Sequence, residues 1–260
     1  MNKAMSSAVE APIRDPGLNS PEARQRKRYM VELFGFQAPK YDFHDDVIGL
    51  GIHRWWARDI IKVIRSFMQG RSSTRMLDLA CGTGFITFNV AKRFGNIDID
   101  GFDISPEMVA VARKRYQKGF KDRKIEFWVG DAELPCGEGR YDIITTCFAF
   151  RNFANKSLAV DNVFKALKPG GVFIIQDMTK PERQPFRAVY LFALKHLLPV
   201  LARILGTEKG AARYLYNSVQ LMPRNAEIKA LLEGKGFAAV SCKGQTMGMG
   251  CIVVGNKPGV

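Results

Sequence analysis

Short apolar runs alternate with amphipathic segments through the middle of the chain. Five apolar runs are predicted to be buried strands, and the segments between them carry apolar residues at helical spacing. The strands are predicted at residues 76–80, 97–102, 125–129, 141–148 and 172–176; the helices end near 94, span 106–117 and lie near 157–167. Short strands that alternate with helices indicate a parallel sheet wrapped by helices.

The segment before the first strand is predicted to be helical. Residues 20–22 (Ser-Pro-Glu) give a hydroxyl cap, a proline at the first helical position and an acid in the first turn. Apolar residues recur at helical spacing from 54 to 68, and Gly70 is suited to end that helix. We expect a disordered tail over residues 1–19 and a helical lead-in over 20–70 that covers the active site.

The order of elements changes after the fifth strand, which follows a tight turn predicted at residues 168–171. A mainly helical insertion is predicted over about 181–222, then a helix at 225–235. Two final strands, at about 237–243 and 251–255, suit a closing antiparallel hairpin. The predicted fold is therefore α/β, with a Rossmann-like, seven-stranded, mostly parallel sheet in a main domain over residues 71–260.

Composition narrows the class of protein only slightly. The 260 residues suit one α/β domain with a short lead-in better than two full domains. The formal net charge of +14 attracts nucleic acid, anionic lipid or acidic substrates without choosing among them. A generically basic soluble enzyme is the plainer alternative.

Cysteine usage and hydropathy favour a cytoplasmic protein. The five Cys residues form no CxxC pair, so neither a disulfide framework nor a zinc site is indicated. The N-terminus lacks the apolar core of a signal peptide. The most apolar stretch, residues 186–205, includes Arg187, Lys195 and Arg203, so it is a poor membrane span. It suits an amphipathic helix that packs on a domain or lies on a membrane surface.

The strongest chemical signal is the turn after the first strand, Asp-Leu-Ala-Cys-Gly-Thr-Gly at residues 78–84. Gly82 and Gly84 let the backbone approach a ligand, and the following helix offers free N–H groups. The spacing differs from the G-x-G-x-x-G of nicotinamide enzymes. The carboxylate of Asp78 is suited to attract the ammonium group of a bound amino acid.

Two more acids end the next strands. Asp103 is placed to accept hydrogen bonds from two ribose hydroxyls, and Asp131 is placed where an exocyclic amine such as that of adenine is read. Three acids and a glycine turn at successive strand ends match the parts of S-adenosylmethionine. The alternatives are a structural glycine turn with incidental acids, and a nicotinamide cofactor.

Two groups of motifs carry a resemblance to known proteins. DLACGTGF, FDIS, GDAELP and LKPGG resemble the motifs of class I S-adenosylmethionine-dependent methyltransferases. Further segments resemble the ubiquinone/menaquinone biosynthesis C-methyltransferase family (the UbiE/MenG type), over about residues 30–257. They are Tyr41-Asp42, residues 51–56 (Gly-Ile-His-Arg-Trp-Trp), residues 150–152 (Phe-Arg-Asn) and the stretch Tyr214, Ser218 and Pro223.

The resemblance implies a cofactor site and a substrate class. It implies methylation of a polyprenyl quinol, and it adds to Asp78, Gly82 and Gly84 a further set of cofactor contacts. These are Thr83, Asp103 with its neighbour Ile104, Asp131, Ala132 and Cys147. Cys147 stands where the family usually has Ser, and the lead-in departs at His44, Asp45 and Gly49. Phe85, Asp177 and Thr179 also depart from the family's pattern.

Methylation of a ring carbon sets the chemistry that the substrate side must supply. The protein aligns donor and acceptor and excludes water, and a phenol must lose its proton first. The resemblance places Arg151 and Tyr41 in the substrate pocket, where the guanidinium stabilises a phenolate or orients a water. The alternatives are an ion pair of Arg151 with a nearby acid, and an ordinary half-buried aromatic at Tyr41. Two roles are open for His53: a general base, or a packed histidine at the start of a helix, and the second is favoured.

Other readings concern partners. An apolar cover from the insertion suits an isoprenoid tail, and its basic residues suit peripheral contact with an anionic membrane. As alternatives, the protein methylates a phospholipid amine or catalyses another S-adenosylmethionine-derived transfer to a quinone. A further alternative is a cofactor-binding sensor without enzymatic activity. Nucleic-acid methylation is disfavoured because residues 147–150 (Cys-Phe-Ala-Phe) lack the Pro-Pro-aromatic and Pro-Cys motifs of those enzymes. We expect no metal site, and a homodimer is left open.

Overall fold

The computed structural model describes residues 21–38, 51–204 and 210–259. The side chains of residues 22, 23, 26 and 37 are outside this description. The expected tail over 1–19 and the site candidate Tyr41 lie outside the described residues.

The centre of the molecule is one seven-stranded sheet with the strand order β3-β2-β1-β4-β5-β7-β6. The first five strands pair in parallel, and β7 runs antiparallel to both β5 and β6. The strands are β1 (Thr74–Leu79), β2 (Ile97–Asp103), β3 (Ile125–Val129), β4 (Tyr141–Cys147), β5 (Leu167–Met178), β6 (Ala238–Gln245) and β7 (Gly250–Asn256). The predicted fold class and the antiparallel hairpin at the end of the chain are confirmed.

Helices lie before, between and after the strands. The lead-in and the helices between strands are α1 (Pro21–Gln37), α2 (Ile52–Met68), α3 (Phe85–Ala91), α4 (Pro106–Gly119) and α5 (Lys156–Ala166). After β5 come α6 (Phe186–Phe192), a π-helical turn (Ala193–Leu197), α7 (Leu198–Ile204), α8 (Ala211–Leu221) and α9 (Asn225–Gly234).

The sheet separates two apolar cores. Alternate residues of a strand point to opposite faces, so Leu77 and Ile144 enter one cluster while Met76 and Ile143 enter the other. All four side chains are fully buried. Continuous apolar strands of this kind are expected where both faces of a parallel sheet are covered.

Several boundaries differ from the sequence-based prediction, those of β5 and α3 among them. The turn predicted at 168–171 lies within β5, which pairs with β4 through Leu167 and again from Val172. The extra residues form an irregularity in which Gly170 has φ +73° and its N–H reaches the Lys257 carbonyl, so the ladder continues past it. Helix α3 ends at Ala91 rather than near 94; beyond it the Arg93 N–H donates to the Val90 carbonyl three residues back, as in a turn.

The insertion has its own small core and an exposed apolar face. Tyr190, Leu194 and Val219 form that core. Other large apolar side chains of the insertion are more than half exposed: Val189, Phe192, Leu197, Val200 and Ile204. Among the described residues, no helix has the length and hydropathy of a membrane span.

Candidate active site

The glycine turn links β1 to α3 at the switch point of the sheet, between β1 and β4. Gly82 and Gly84 have φ +55° and +84°, and the Gly84 N–H donates to the Cys81 carbonyl at 2.9 Å. A Cβ at Gly84 would stand 2.6 Å from the Phe88 ring, so both the backbone conformation and the packing require glycine there. Open α/β sheets bind ligands at such a switch point.

Asp103 at the end of β2 fixes the glycine turn. One carboxylate oxygen accepts the Gly82 N–H at 2.9 Å and the other accepts the Ser105 N–H at 2.9 Å. Burial raises the pKa of Asp103, against these backbone hydrogen bonds. Asp103 also lines a cavity at this edge of the sheet. Asp103 and the turn are therefore one preorganised unit.

Asp78 is almost fully buried, with 1% of its surface exposed. It accepts the Thr87 N–H at 3.1 Å and the Thr87 hydroxyl at 2.6 Å, and the Thr145 hydroxyl at 3.1 Å. Burial raises its pKa to about 6, in spite of those hydrogen bonds. The side chain joins β1, α3 and β4 as well as contributing to the cavity wall.

Thr83 is held by a residue that sequence reasoning missed. The Arg115 guanidinium donates to the Thr83 carbonyl at 3.0 Å and to its hydroxyl at 3.1 Å. Arg115 lies on α4, 32 residues further along the chain, and also lines the cavity. Its helical position among other basic residues gave no local signal for this contact.

The acid after β3 is bound to the lead-in helix. The Lys27 ammonium lies 2.7 Å from an Asp131 carboxylate oxygen and 2.8 Å from a Glu133 oxygen. Glu133 is buried and also accepts the Ala154 and Asn155 N–H groups, at 2.6 and 3.1 Å. Helix α1 is therefore fastened to the strand end at which we predict the adenine contact.

Cys147 at the end of β4 begins a buried polar network. Its thiol donates to the side-chain amide oxygen Oε1 of Gln176 at 3.2 Å, and Nε2 of Gln176 donates to Oε1 of Gln245 at 3.1 Å. Gln245 in turn donates to Asp59 of α2 at 2.8 Å. In this structure the Cys147 thiol is thus hydrogen-bonded to the side chain of Gln176 on the neighbouring strand.

These elements enclose a cavity of about 1150 Å³. Its wall includes four of the predicted cofactor residues as well as Asp103: Asp78, Gly82, Thr83 and Cys147. Phe34 of α1 and His53 of α2 also line it, and the His53 ring centre is 5.1 Å from that of Phe85. Gly84, Ile104, Asp131 and Ala132 are not among the described residues that form this wall.

Arg151 follows β4 in a short 3₁₀ turn and is buried, with 6% of its side chain exposed. Its guanidinium pairs with Asp177, and its backbone N–H donates to the other Asp177 oxygen at 2.8 Å. Nε donates to the Ser218 hydroxyl at 3.3 Å. Arg151 is not among the described residues that form the cavity wall, although Phe148 and Asn152, before and after it in the chain, are. The ion pair left open as an alternative is therefore present, and sequence reasoning did not identify Asp177 or Ser218 as its partners.

Three features define the class I methyltransferase fold: the sheet order, the antiparallel β7, and an acidic edge formed by Asp78 and Asp103 at the ends of β1 and β2. Solved structures at low identity show the same fold. A DszA carbon methyltransferase matches with a TM-score of 0.59 and 18% identity, over 80% of this chain and 55% of that one. The Haemonchus contortus phosphoethanolamine N-methyltransferase 2, in complex with S-adenosyl-L-methionine, matches with a TM-score of 0.59 and 15% identity, over 77% and 52%. This chain thus spans little more than half of either structure.

Within that class, the chain belongs to the ubiE/COQ5 methyltransferase family, whose model matches residues 22–257. It is 32% identical to the ubiquinone/menaquinone biosynthesis C-methyltransferase UbiE of Stutzerimonas stutzeri, over 92% of this chain and 93% of that protein. It is 30% identical to the demethylmenaquinone methyltransferase of Thermus thermophilus, over 87% and 100%. The protein is therefore a methyltransferase, as the sequence motifs predicted.

Proposed function

We propose that the protein transfers a methyl group from S-adenosylmethionine to a ring carbon of a polyprenyl quinol. The observation that carries this proposal is the cavity at the switch point, which joins an acidic edge at Asp78 and Asp103 to an aromatic wall beside Arg151. The relatives named for quinone biosynthesis match almost the whole chain, which supports the same substrate class.

The residues of the acidic edge fit the cofactor. Asp103 would accept the ribose hydroxyls, because its carboxylate is fixed by two backbone N–H groups and still faces the cavity. Asp78 would hold the ammonium group, since a nearby cation favours the charged form of a buried carboxylate. We assign the adenine end to Asp131 and Ala132, and a further cofactor contact to Cys147. When bound, S-adenosylmethionine supplies a methyl group activated by its sulfonium.

The remaining chemistry belongs to the substrate side. The protein must hold the ring carbon in line with the methyl group, exclude water and stabilise a phenolate. We assign the last role to Arg151, and Tyr41 to the same pocket by the family resemblance. The Arg151 charge is balanced by Asp177 in this structure. Stabilisation of a phenolate therefore requires the guanidinium to be shared with the substrate or to turn toward it.

We propose that the insertion also rests on an anionic membrane, where a polyprenyl quinol is dissolved. Its exposed apolar residues include Phe192, Leu197 and Ile204, which are 58%, 59% and 76% exposed. Lys195 and Arg203 lie on the same helical stretch. Apolar side chains that enter the headgroup region beside lysine and arginine are typical of peripheral helices.

Transfer of labelled methyl groups tests the proposed reaction. Purified protein is incubated with methyl-labelled S-adenosylmethionine and vesicles that contain a chemically reduced demethylated quinone. The proposal predicts label in the quinol, in which the transferred methyl group replaces one ring hydrogen, lost as a proton. Label in phosphatidylethanolamine of the same vesicles, with none in the quinol, would contradict it and favour the phospholipid-amine alternative.

The membrane contact is tested separately by flotation. The protein should float with vesicles that contain phosphatidylglycerol and remain unbound with neutral vesicles. Phe192→Ser combined with Leu197→Ser should abolish flotation, whereas Leu134→Ser, at an exposed apolar position outside the insertion, should not. Equal flotation of both variants would contradict this membrane face.

A further inference from the structure

Tyr190 of helix α6 has a buried hydroxyl that the packing of the protein does not explain. The residue is 8% exposed and lies in the small core of the insertion, with Leu194 and Val219. Its hydroxyl has no hydrogen-bond partner among the residues that the structure describes. A buried hydroxyl without a partner lowers stability relative to phenylalanine, which would fill the same space. The hydroxyl therefore points to a state of the protein in which it is used.

Tyr190 lies beside the Arg151–Asp177 pair. Its core includes Val219, which follows the Arg151 partner Ser218, and packs against Met178, which follows Asp177. Burial raises the pKa of Tyr190, and the charges of Arg151 and Asp177 act on it in opposite directions. The phenol therefore stays protonated at neutral pH and remains a hydrogen-bond donor. Asp177 is fully buried, and its carboxylate accepts from the Arg151 guanidinium, the Arg151 N–H and the Met178 N–H.

Movement of Arg151 would leave that carboxylate short of a donor. A buried charge that loses one partner is strongly destabilised, which opposes any turn of the guanidinium toward a substrate. A tyrosine hydroxyl is suited to replace the lost bond, because donation to a carboxylate is charge-assisted.

We propose that Tyr190 is a positioning residue whose hydroxyl donates to Asp177 when Arg151 turns toward the substrate oxygen. Tyr190 thereby lowers the cost of moving the guanidinium out of its ion pair. The inference rests on the proposed quinol methylation for its place in the reaction. The exchange of donors at Asp177 is a property of the protein alone and is testable without substrate.

A double-mutant cycle in thermal unfolding provides the test without substrate. Tyr190→Phe alone should leave the unfolding midpoint unchanged or raise it. Arg151→Met removes the guanidinium, so the hydroxyl should then donate to Asp177. In that background Tyr190→Phe should lower the midpoint by roughly 3–8 °C. An equal shift in both backgrounds would overturn the proposal.

Steady-state kinetics provide the second test. Tyr190→Phe should lower kcat with the quinol by about 10- to 100-fold, with little change in KM or in cofactor affinity. The matched control is Tyr216→Phe, in the same small core, whose hydroxyl accepts the Gln220 amide at 3.0 Å. That variant should keep its kcat. A wild-type kcat in Tyr190→Phe, or an equal fall in both variants, would overturn the proposal.

The two tests also separate this inference from the proposed function. A wild-type protein that binds the cofactor but methylates no quinol overturns the proposed function, while the thermal cycle still decides the role of Tyr190. The kinetic comparison decides it if Arg151→Met does not fold.

Discussion

The acidic edge, where we propose that the cofactor binds, and the proposed substrate side around Arg151 are organised in opposite ways. At the edge, Asp103 is fixed by the backbone of the turn it faces and remains accessible to the cavity. On the substrate side, the charge of Arg151 is paired with a fully buried Asp177. In the proposed reaction the edge is thus formed before any ligand binds, whereas the Arg151–Asp177 pair has to open before the guanidinium reaches the substrate.

This difference indicates where the family's common chemistry and its specificity lie. Preorganised donors and acceptors suit a cofactor that never varies. An ion pair that must open, under a helical insertion with an exposed apolar face, suits a lipophilic substrate that enters from outside. Mutations on the edge should therefore affect cofactor binding, and those on the substrate side should affect turnover.

The largest effect is expected from Arg151→Ala. Loss of the guanidinium should lower kcat by about 100-fold or more, because a developing phenolate loses its stabilising charge. Cofactor affinity, measured by calorimetry, should stay within about threefold, since the edge is built without Arg151. The control Arg71→Ala removes an exposed guanidinium that donates to the Phe67 carbonyl. A comparable loss of cofactor affinity in Arg151→Ala would contradict the separation of the two sides.

Asp103→Ala should have the next largest effect, and this effect should be on cofactor binding. Asp103 accepts the Gly82 N–H, and we propose that it also accepts two ribose hydroxyls, so its removal should weaken cofactor affinity by about 10- to 100-fold. Asp98→Ala is the matched control, because Asp98 lies on the same strand and is 51% exposed. Equal cofactor affinities of the two variants would show that Asp103 does not contact the cofactor.

The raised pKa of Asp78 predicts a pH-dependent affinity. Below about pH 6 the cofactor-free protein holds a proton on Asp78, which an ammonium group must displace. Affinity for S-adenosylmethionine should therefore rise by up to about 10-fold per pH unit toward pH 6 and then level off. The same proton makes the contribution of Asp78 to unfolding free energy fall as pH rises from about 4 to 6. Titration at several pH values checks this, and Asp78→Asn should show a flat profile.

Lys27→Met should have the smallest effect on the site. It removes the ion pairs to Asp131 and Glu133, so amide hydrogen exchange in α1 should become faster. Cofactor affinity should change by less than about threefold, since Glu133 keeps its backbone donors. Arg28→Met, at an exposed position of the same helix, is the control. A large loss of cofactor affinity in Lys27→Met would contradict this prediction and show that α1 contributes to cofactor binding.

The sequence predicted the sheet and the turn because their signals are local. Apolar runs define the strands, and Gly82 and Gly84 occupy left-handed backbone positions directly after β1. Pairings between distant charged residues carry no such signal. Lys27 and Asp131 are 104 residues apart, and Arg151 and Asp177 are 26 apart, so only the folded chain reveals them.

The sequence likewise contained no signal for the hydroxyl of Tyr190, which is buried and unpaired among the described residues. A tyrosine among apolar residues of a helix is typical of core packing, and its relation to Arg151 depends on how the insertion folds back over β5. The same holds for the Cys147–Gln176–Gln245 network, whose members come from three strands.

The most direct test of the account is calorimetry of the purified protein with S-adenosylmethionine, its demethylated product S-adenosylhomocysteine, and a nicotinamide dinucleotide. We predict saturable binding of the first two at one site, weakened by about 10- to 100-fold in Asp103→Ala, and no heat from the third. Absence of heat from both sulfur compounds, with saturation by the dinucleotide instead, would contradict it.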